Sequence, residues 1–410
     1  MPSGVAFERA VPGAFTHGLC NGQKFARQNP RCWRKFLSAG HSRAFLMSVS
    51  ERCPARISPL TKCFVPIATS KLRGSWGMSE VSLQAQADVL PTRHAKARAP
   101  RPRSAPTVTI LLCTFNGERF LADQLASLER QTFKNWKLIA SDDGSTDRTK
   151  SILLGFQKSC EPGKVEIIDG PRRGAPAHFL FQACAENLAS EYYAFCDQDD
   201  VWEADKLARA IEALEQTDPG IPALYGSRTR LVDEGGNEIG LSPLFQKKPE
   251  FRSALVQSIA GGNTIVFNQK ARELLVFCGA DVDVPSHDWW LYQVTSACGG
   301  KVHYDAWPSV RYRQHEHNVI GSNMGWAARV RRLHMLKQGR FRRWEDLNVV
   351  ALARIRPRMT AENQRIFGLF CKARHEPLLR RATIFAQAGV YRQTLLGNLG
   401  LVAAVVLNKI

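Results

Sequence analysis

Between Thr107 and Asp200 the chain alternates between short apolar runs and stretches with helical spacing, and few folds accommodate that pattern. The runs are "TVTILLCTF", "WKLIASDD", "KVEIIDG" and "YYAFCDQDD"; between them lie "GERFLADQLASLERQT", "DRTKSILLGFQK" and "APAHFLFQACAENLA". The first run is continuously apolar, as expected of a strand buried on both faces. In the next stretch Phe120, Leu121, Leu125 and Leu128 recur at helical spacing. Strand-helix-strand repeats close as right-handed crossovers. The pattern predicts an α/β domain of Rossmann-like type: a mostly parallel sheet with helices on both faces, and a ligand at the carboxyl ends of its strands.

Those strand ends read "CTFNG" (113–117), "SDDGSTD" (141–147), "DGPRRG" (169–174) and "DQDD" (197–200). No G-x-G-x-x-G follows the first strand and no G-x-x-x-x-G-K-[ST] occurs, so a bound nucleotide needs another holder for its phosphates. Asp197 and Asp199 alternate along a strand end, and their hard oxygens suit Mg²⁺ or Mn²⁺. Such an ion bridges two phosphates and neutralises a leaving diphosphate. Asp200 and Asp205 fit equally well as caps of a helix beginning near Asp200 or Trp202, with surface pairing to Lys206. In "SDDGSTDRT" a carboxylate could accept a hydrogen bond from a base N–H, Ser145 or Thr146 could cap a helix, and Asp147 suits the first helical turn.

In order and spacing, "TILLCTFNGERFLADQLASLERQTFKNWKLIASDDGSTDRT" followed by "YYAFCDQDDVWEADKL" resembles the family 2 glycosyltransferases of the GT-A fold. The form "DQDDVW" with a later "YRQHEHNVIG" is similar to their rhamnosyltransferase-like branch, and the resemblance spans about residues 107–322. It implies a nucleoside-diphosphate-sugar donor, a divalent metal and transfer with inversion. Residue by residue, it places Thr114, Phe115 and Asn116 at the nucleobase, Asp143 as the base contact with Asp142 beside it, and Asp197 and Asp199 at the metal. The catalytic base falls on Asp288 in "VPSHDWWLYQ", where His287 stands in place of a second acid; Asp281 and Asp283 are nearby fallbacks.

Inverting displacement needs a base on the acceptor side and charge stabilisation on the leaving-group side, hence two separate carboxylate stations. Asp288 is one and the 197–199 pair the other. Asp288 equally suits a helix N-cap, with Trp289 and Trp290 either as packing or as an apolar wall for a sugar or lipid acceptor. In "IAGGNTIVFN", read as a strand after a glycine turn, the resemblance puts Gly261, Gly262 and Asn263 near the acceptor and diphosphate. Arg313, Gln314 and His315 of "RYRQHEHNVIG" suit diphosphate contact, with His315 as a third metal ligand.

Charge separates this domain from its flanks. Residues 1–104 hold 17 Lys and Arg against 4 Asp and Glu, out of 56 against 37 in all 410 residues, so the remainder is only mildly basic. That extension lacks sustained periodicity and reads as poorly ordered, with Met78 a better start than Met1. Three segments follow: a basic extension (1–104), the glycosyltransferase-like domain (105–325), and a helical, basic C-terminal appendage (326–410). Between Trp326 and Trp344 stand seven Lys or Arg and no acid, ahead of the apolar "LLGNLGLVAAVVLNKI". This suggests peripheral contact with an anionic cytoplasmic leaflet, or a helix packed on the domain.

Eleven cysteines without a C-x-x-C pair point to a reducing cytoplasm, and no 18-residue apolar run is present. The expected function is metal-dependent transfer of a sugar, rhamnose among others, to a cell-surface polysaccharide or lipid-linked glycan. The alternative is a non-catalytic or nucleic-acid-binding protein using its basic ends. Specific nucleic-acid binding is not expected, because that charge lies outside the motif-bearing domain. A carboxylate hydrolase would need no nucleotide-contacting strand end.

Overall fold

The structure is a computed structural model that describes residues 106–315 and 340–410. The readings placed on residues 1–104, on Met78 and on most of the basic 326–344 stretch lie outside those residues.

Four strands carry the first half: β1 (Val108–Thr114), β2 (Trp136–Asp142), β3 (Val165–Asp169) and β4 (Tyr192–Cys196). Helices α1 (Leu121–Glu129), α2 (Thr149–Ser159) and α3 (Ala175–Ala183) connect them. The strands pair in parallel in the order β3-β2-β1-β4, with β1 entirely buried. Alternation along β1 divides the interior in two, because successive side chains point to opposite faces. Val108, Ile110 and Leu112 pack in one cluster with Leu121, Leu125 and Leu207. Leu111 and Cys113 join Phe179, Leu275 and Trp290 in the other. Helices therefore cover both faces.

The second half comprises β5 (Val201–Trp202), α4 (Lys206–Glu215), β6 (Ala223–Val232), β7 (Glu238–Leu241), α5 (Phe251–Ala254), β8 (Val266–Asn268), α6 (Gln269–Cys278), α7 (His287–Ala297) and β9 (Lys301–Arg313). The sheet continues β4-β8-β6-β9-β5, with β7 on β6. Strands β8, β5 and β7 run against their neighbours, while β6 and β9 share the direction of the first four. Most of the sheet thus runs one way. Short β8 matters most for the site: Ala194 pairs with Val266 and Phe195 N–H donates to the Ile265 carbonyl, which carries the preceding glycine turn past the end of β4.

Two local expectations are corrected. No helix begins at Asp200 or Trp202: Val201 and Trp202 pair with β9, Trp202 N–H donates to Ser127 Oγ at 3.0 Å, and α4 starts only at Lys206. Lys206 is fully buried over the Trp202 ring, so it makes no surface pair. The strand read into "IAGGNTIVFN" shrinks to Val266–Asn268, preceded by a single 3-10 turn at Gly262–Thr264.

Beyond residue 340 lie α8 (Arg340–Ile355), α9 (Ala361–Ala373), α10 (Leu378–Ala388) and α11 (Leu395–Val406). Leu352, Ile355, Phe367, Phe370 and Leu401 belong to the same apolar cluster as Trp290 and Leu275, so these helices share a core with α6 and α7. None of the described helices is long and apolar enough to cross a membrane.

Candidate active site

At the end of β1, Thr114 is buried and its hydroxyl donates to the Ser141 carbonyl (3.2 Å) and Asp142 Oδ1 (3.1 Å). Asp142 also accepts from Gly144 N, Ser145 N and Ser145 Oγ, at 3.2, 2.9 and 2.5 Å. Burial alone would raise its carboxyl pKa, but the Ser145, Thr114 and Gly144 bonds hold it below the usual value. Thr114 and Asp142 therefore knit the loops together at the strand end where the resemblance puts the nucleobase. Asn116, at φ 47°, donates its N–H to Ser145 Oγ and accepts from Thr146 N, so it too is a loop fastener. Phe115 is 56% exposed, while Asp143 is also tied into the loops, its Oδ1 accepting from Arg172 N at 2.5 Å and its Oδ2 from Gly174 N at 3.3 Å.

A residue missed in the sequence ties this loop to the end of β4. Gln198 Oε1 accepts from Phe115 N at 2.9 Å, while its Nε2 donates to the Phe115 carbonyl at 3.0 Å. Gly117 makes room for it, since a Cβ there would lie 2.3 Å from Gln198 Oε1.

Asp197 is half-buried, and burial together with the charges of Asp199 and Asp288 pushes its carboxyl up to about 8. Asp199 Oδ2 lies 2.8 Å from His315 Nε2. Asp200 is fully buried; its carboxyl accepts from Asn263 Nδ2 (2.6 Å) and Arg313 N (3.1 Å), and burial with Asp199 and Asp197 raises its pKa well above the usual range. Asp200 is thus neither a helix cap nor a surface acid. Behind it Lys206, with no hydrogen-bond partner for its Nζ among the described residues, is pushed down to about 7 by burial, against the pull of Cys196 and Asp200.

Arg313 is committed elsewhere than to a diphosphate. Its guanidinium donates to the carbonyls of Asp199 (3.1 Å) and Glu234 (2.7 Å) and to Asp123 Oδ2 (3.0 Å), with its carbon 4.6 Å from the Phe120 ring centre. Gln314 N–H donates to the Val232 carbonyl at 2.8 Å. Both residues anchor the end of β9, which brings His315 to Asp199.

Across the site, Asp288 occupies the first turn of α7, only 7% exposed. Its Oδ1 has no hydrogen-bond partner among the described residues, and Ser258 Oγ reaches Oδ2 at 3.5 Å. Burial raises it to about 6 despite the opposing Trp289 and Asp288 backbone amides and Ser258. His287 stacks on Phe179 with ring centres 3.9 Å apart and is pushed down to about 3 by burial, so it is neutral. A Cβ at Gly262 would lie 2.5 Å from His287 Nε2, a close approach only glycine allows. Trp289 and Trp290 are core residues, and the Trp289 indole N–H donates to the Ala254 carbonyl at 2.6 Å. They support α7 and form no acceptor wall. The fallbacks Asp281 and Asp283 are not buried with Asp288: Asp281 is exposed and pairs with Arg354 at 2.9 Å.

Among the described residues no group of three or more His, Cys, Asp or Glu side chains forms a ready metal cage. The donor chemistry nonetheless fits a divalent ion shared with a ligand. Mg²⁺ at phosphates uses one or two protein carboxylates and takes its other oxygens from phosphate and water.

On this α/β sheet a buried acid, Asp288, stands apart from the Asp197–Asp199 pair, and the sequence matches make the domain a glycosyltransferase domain. Residues 109–275 match the family model "Glycosyl transferase family 2", and this domain belongs to that family. The alternative of a non-catalytic or nucleic-acid-binding protein gives way to that match. The dTDP-rhamnosyl transferase RfbG of Shigella flexneri is 28% identical over 243 residues, covering 57% of this chain and 81% of that protein. The UDP-Glc:alpha-D-GlcNAc-diphosphoundecaprenol beta-1,3-glucosyltransferase WfgD of Escherichia coli is 30% identical over 126 residues, 29% of this chain and 45% of that one. Among solved structures, the mannosyltransferase PcManGT of Pyrobaculum calidifontis in complex with GDP-Man and Mn²⁺ has a TM-score of 0.41 at 18% identity, covering 76% of this chain and 88% of that one.

Proposed function

We propose that the protein is an inverting, divalent-metal-dependent glycosyltransferase that moves a sugar, rhamnose foremost, from a deoxythymidine- or uridine-diphosphate donor to a cell-surface polysaccharide or lipid-linked glycan. The observation that carries this reading is Asp288: a buried carboxyl raised to about 6, with one oxygen unpartnered among the described residues, within electrostatic reach of Asp197. A base poised near neutral pH takes a proton most effectively at that pH.

The Asp288 carboxylate accepts the proton of the acceptor hydroxyl as that oxygen attacks the sugar's anomeric carbon. The bond to the diphosphate oxygen breaks on the opposite face, which inverts configuration. Asp197, Asp199 and His315 would hold Mg²⁺ or Mn²⁺, which when bound supplies positive charge to the leaving diphosphate. Phe115 offers its exposed ring to the nucleobase and Asp143 a carboxylate to a base N–H. Rhamnose and the thymidine donor come from the relative named dTDP-rhamnosyl transferase. The lipid-linked acceptor follows the diphosphoundecaprenol acceptor in the name of the second relative. All seven described cysteines are free, which supports the cytoplasm as the compartment, with the site of action at the inner face of the cell membrane.

A thermal-shift series with dTDP, UDP and GDP, each with and without Mn²⁺, tests this. The expected result is stabilisation by dTDP or UDP that requires the metal and is lost in Asp199→Ala. No metal-dependent stabilisation by any of the three would overturn it.

A further inference from the structure

Helix α11 is apolar on every side. Leu401, Ala404 and Val405 are buried against the domain. Facing outward are Leu395, Leu396, Leu399, Val402 and Val406, with Leu407 just past the helix, from 51% exposed at Val406 to 78% at Leu395. The exposed positions between them are Gly400 and Ala403. Its one polar side chain, Asn398, is spent on the N–H and carbonyl of Arg392 and the carbonyl of Thr394. A helix apolar all round is normally buried all round, and an exposed patch of this kind marks an interaction surface. Arg381 Nη1 donates to the Val405 carbonyl at 2.8 Å, which brings the start of α10, with exposed Leu378 and Leu379, close to the end of α11.

Both ends of α11 are basic. At its start, Lys247 Nζ donates to the Arg392 carbonyl at 3.2 Å, and Lys248 follows, paired with Glu250 at 3.1 Å. At its finish, Arg342 Nη1 donates to the Asn408 carbonyl at 2.6 Å, next to Lys409, and Arg340 and Arg343 lie in the same first turn of α8 as Arg342.

We propose that α11 seats the protein on an anionic lipid surface, its outward leucines and valines in the acyl boundary and the two basic ends on the headgroups. The helix has 12 residues, about 18 Å at 1.5 Å per residue, so it lies on a bilayer and does not span one. A second copy of the chain fits this face worse. Antiparallel pairing of two such helices would set the Lys247–Lys248 end of one against the Arg342–Lys409 end of the other, like charge against like. The inference rests on the outward side chains of α11 and is independent of the chemistry proposed for Asp288.

Co-sedimentation of the full chain with phosphatidylglycerol-containing and pure phosphatidylcholine vesicles tests it, alongside the oligomeric state from light scattering. Leu399→Asp with Val402→Asp should reduce binding to the anionic vesicles at least tenfold while leaving a cooperative thermal transition and the far-ultraviolet circular dichroism of wild type, which shows that the variant is folded. Arg343→Glu with Lys409→Glu should weaken anionic binding several-fold and remove its salt dependence in part. Unchanged vesicle binding in both variants overturns the proposal. So does a wild-type dimer that the Asp variant turns into a monomer without change in vesicle binding.

Discussion

Gln198 pairs with both backbone polar groups of Phe115, accepting from its N–H at 2.9 Å and donating to its carbonyl at 3.0 Å. This two-point clasp couples the loop proposed to face the nucleobase to the loop that carries Asp197 and Asp199. Gln198→Ala removes both bonds, each worth about 1 kcal/mol. The expected result is a donor KM about tenfold higher with kcat changed little, because the loss falls on ground-state positioning. Gly117→Ala should give the same signature by pushing on Gln198 Oε1. Steady-state kinetics with unaltered donor KM in both variants would refute the coupling.

Asp288 predicts a pH profile and a stability change of opposite value to the enzyme. The base works ionised, so kcat/KM should rise with pH through about 6 and then level. Asp288→Asn should lower kcat by about 10²–10⁴ while donor binding persists. Its folded-state pKa lies above the ordinary 3.8, so the folded protein holds the extra proton and loses stability as pH rises from about 4 to about 6. Asparagine cannot ionise and should recover up to roughly 3 kcal/mol at pH 7, seen as a higher Tm. A variant less stable than wild type at pH 7 and equally stable at pH 4 would reverse this account.

Much of the fold was legible because it rests on periodicity. The apolar run 108–114 and the leucines at 121, 125 and 128 announce a buried strand and an amphipathic helix, and the structure places both there. Residues 201–202 were not legible: Trp202 joins β9, more than a hundred positions away in the chain, and no local pattern reports such a partner. Within the site, the aspartates at strand ends were visible, but their division of labour was not. Thr114 and Asp142 are turned inward by Ser145, and Arg313 is drawn to Asp123 and Glu234. Composition shows what a residue can bind, while burial and the partners brought by distant segments decide which face it presents. The same holds for Lys206, which sequence reads as a surface cation and the structure buries on Trp202.

Asn263 serves Asp200, and its variants separate support from ligand contact. Asn263→Ala leaves Asp200 with the Arg313 N–H alone, at a cost of about 1–3 kcal/mol, a Tm lower by several degrees. Asn263→Asp sets a second carboxyl about where the amide nitrogen stood, 2.6 Å from Asp200 Oδ2. Two carboxyls that close share one proton, so this variant should be much less stable than wild type at pH 8 and close to it near pH 5. Urea unfolding at the two pH values checks the sign; equal stability at pH 8 removes Asp200 from the supporting network.

Arg313 provides the sharpest contrast between a ligand contact and a clamp. Its charge beside His315 suits a diphosphate contact, whereas its guanidinium holds Asp199, Glu234 and Asp123 together over Phe120. Arg313→Lys keeps the charge but cannot make three divergent bonds from a planar fork. A diphosphate ligand replaced by lysine would leave the ligand-free Tm unchanged and weaken nucleotide binding. A clamp predicts the reverse order: loss of about 1–3 kcal/mol in the ligand-free protein, from the part-buried Asp199 and Glu234 carbonyls left without their donor. Nucleoside-diphosphate affinity, measured by calorimetry on the fraction that stays folded, should then fall only as far as misplacement of Asp199 requires. Retained ligand-free stability with a large loss of affinity would return Arg313 to the diphosphate.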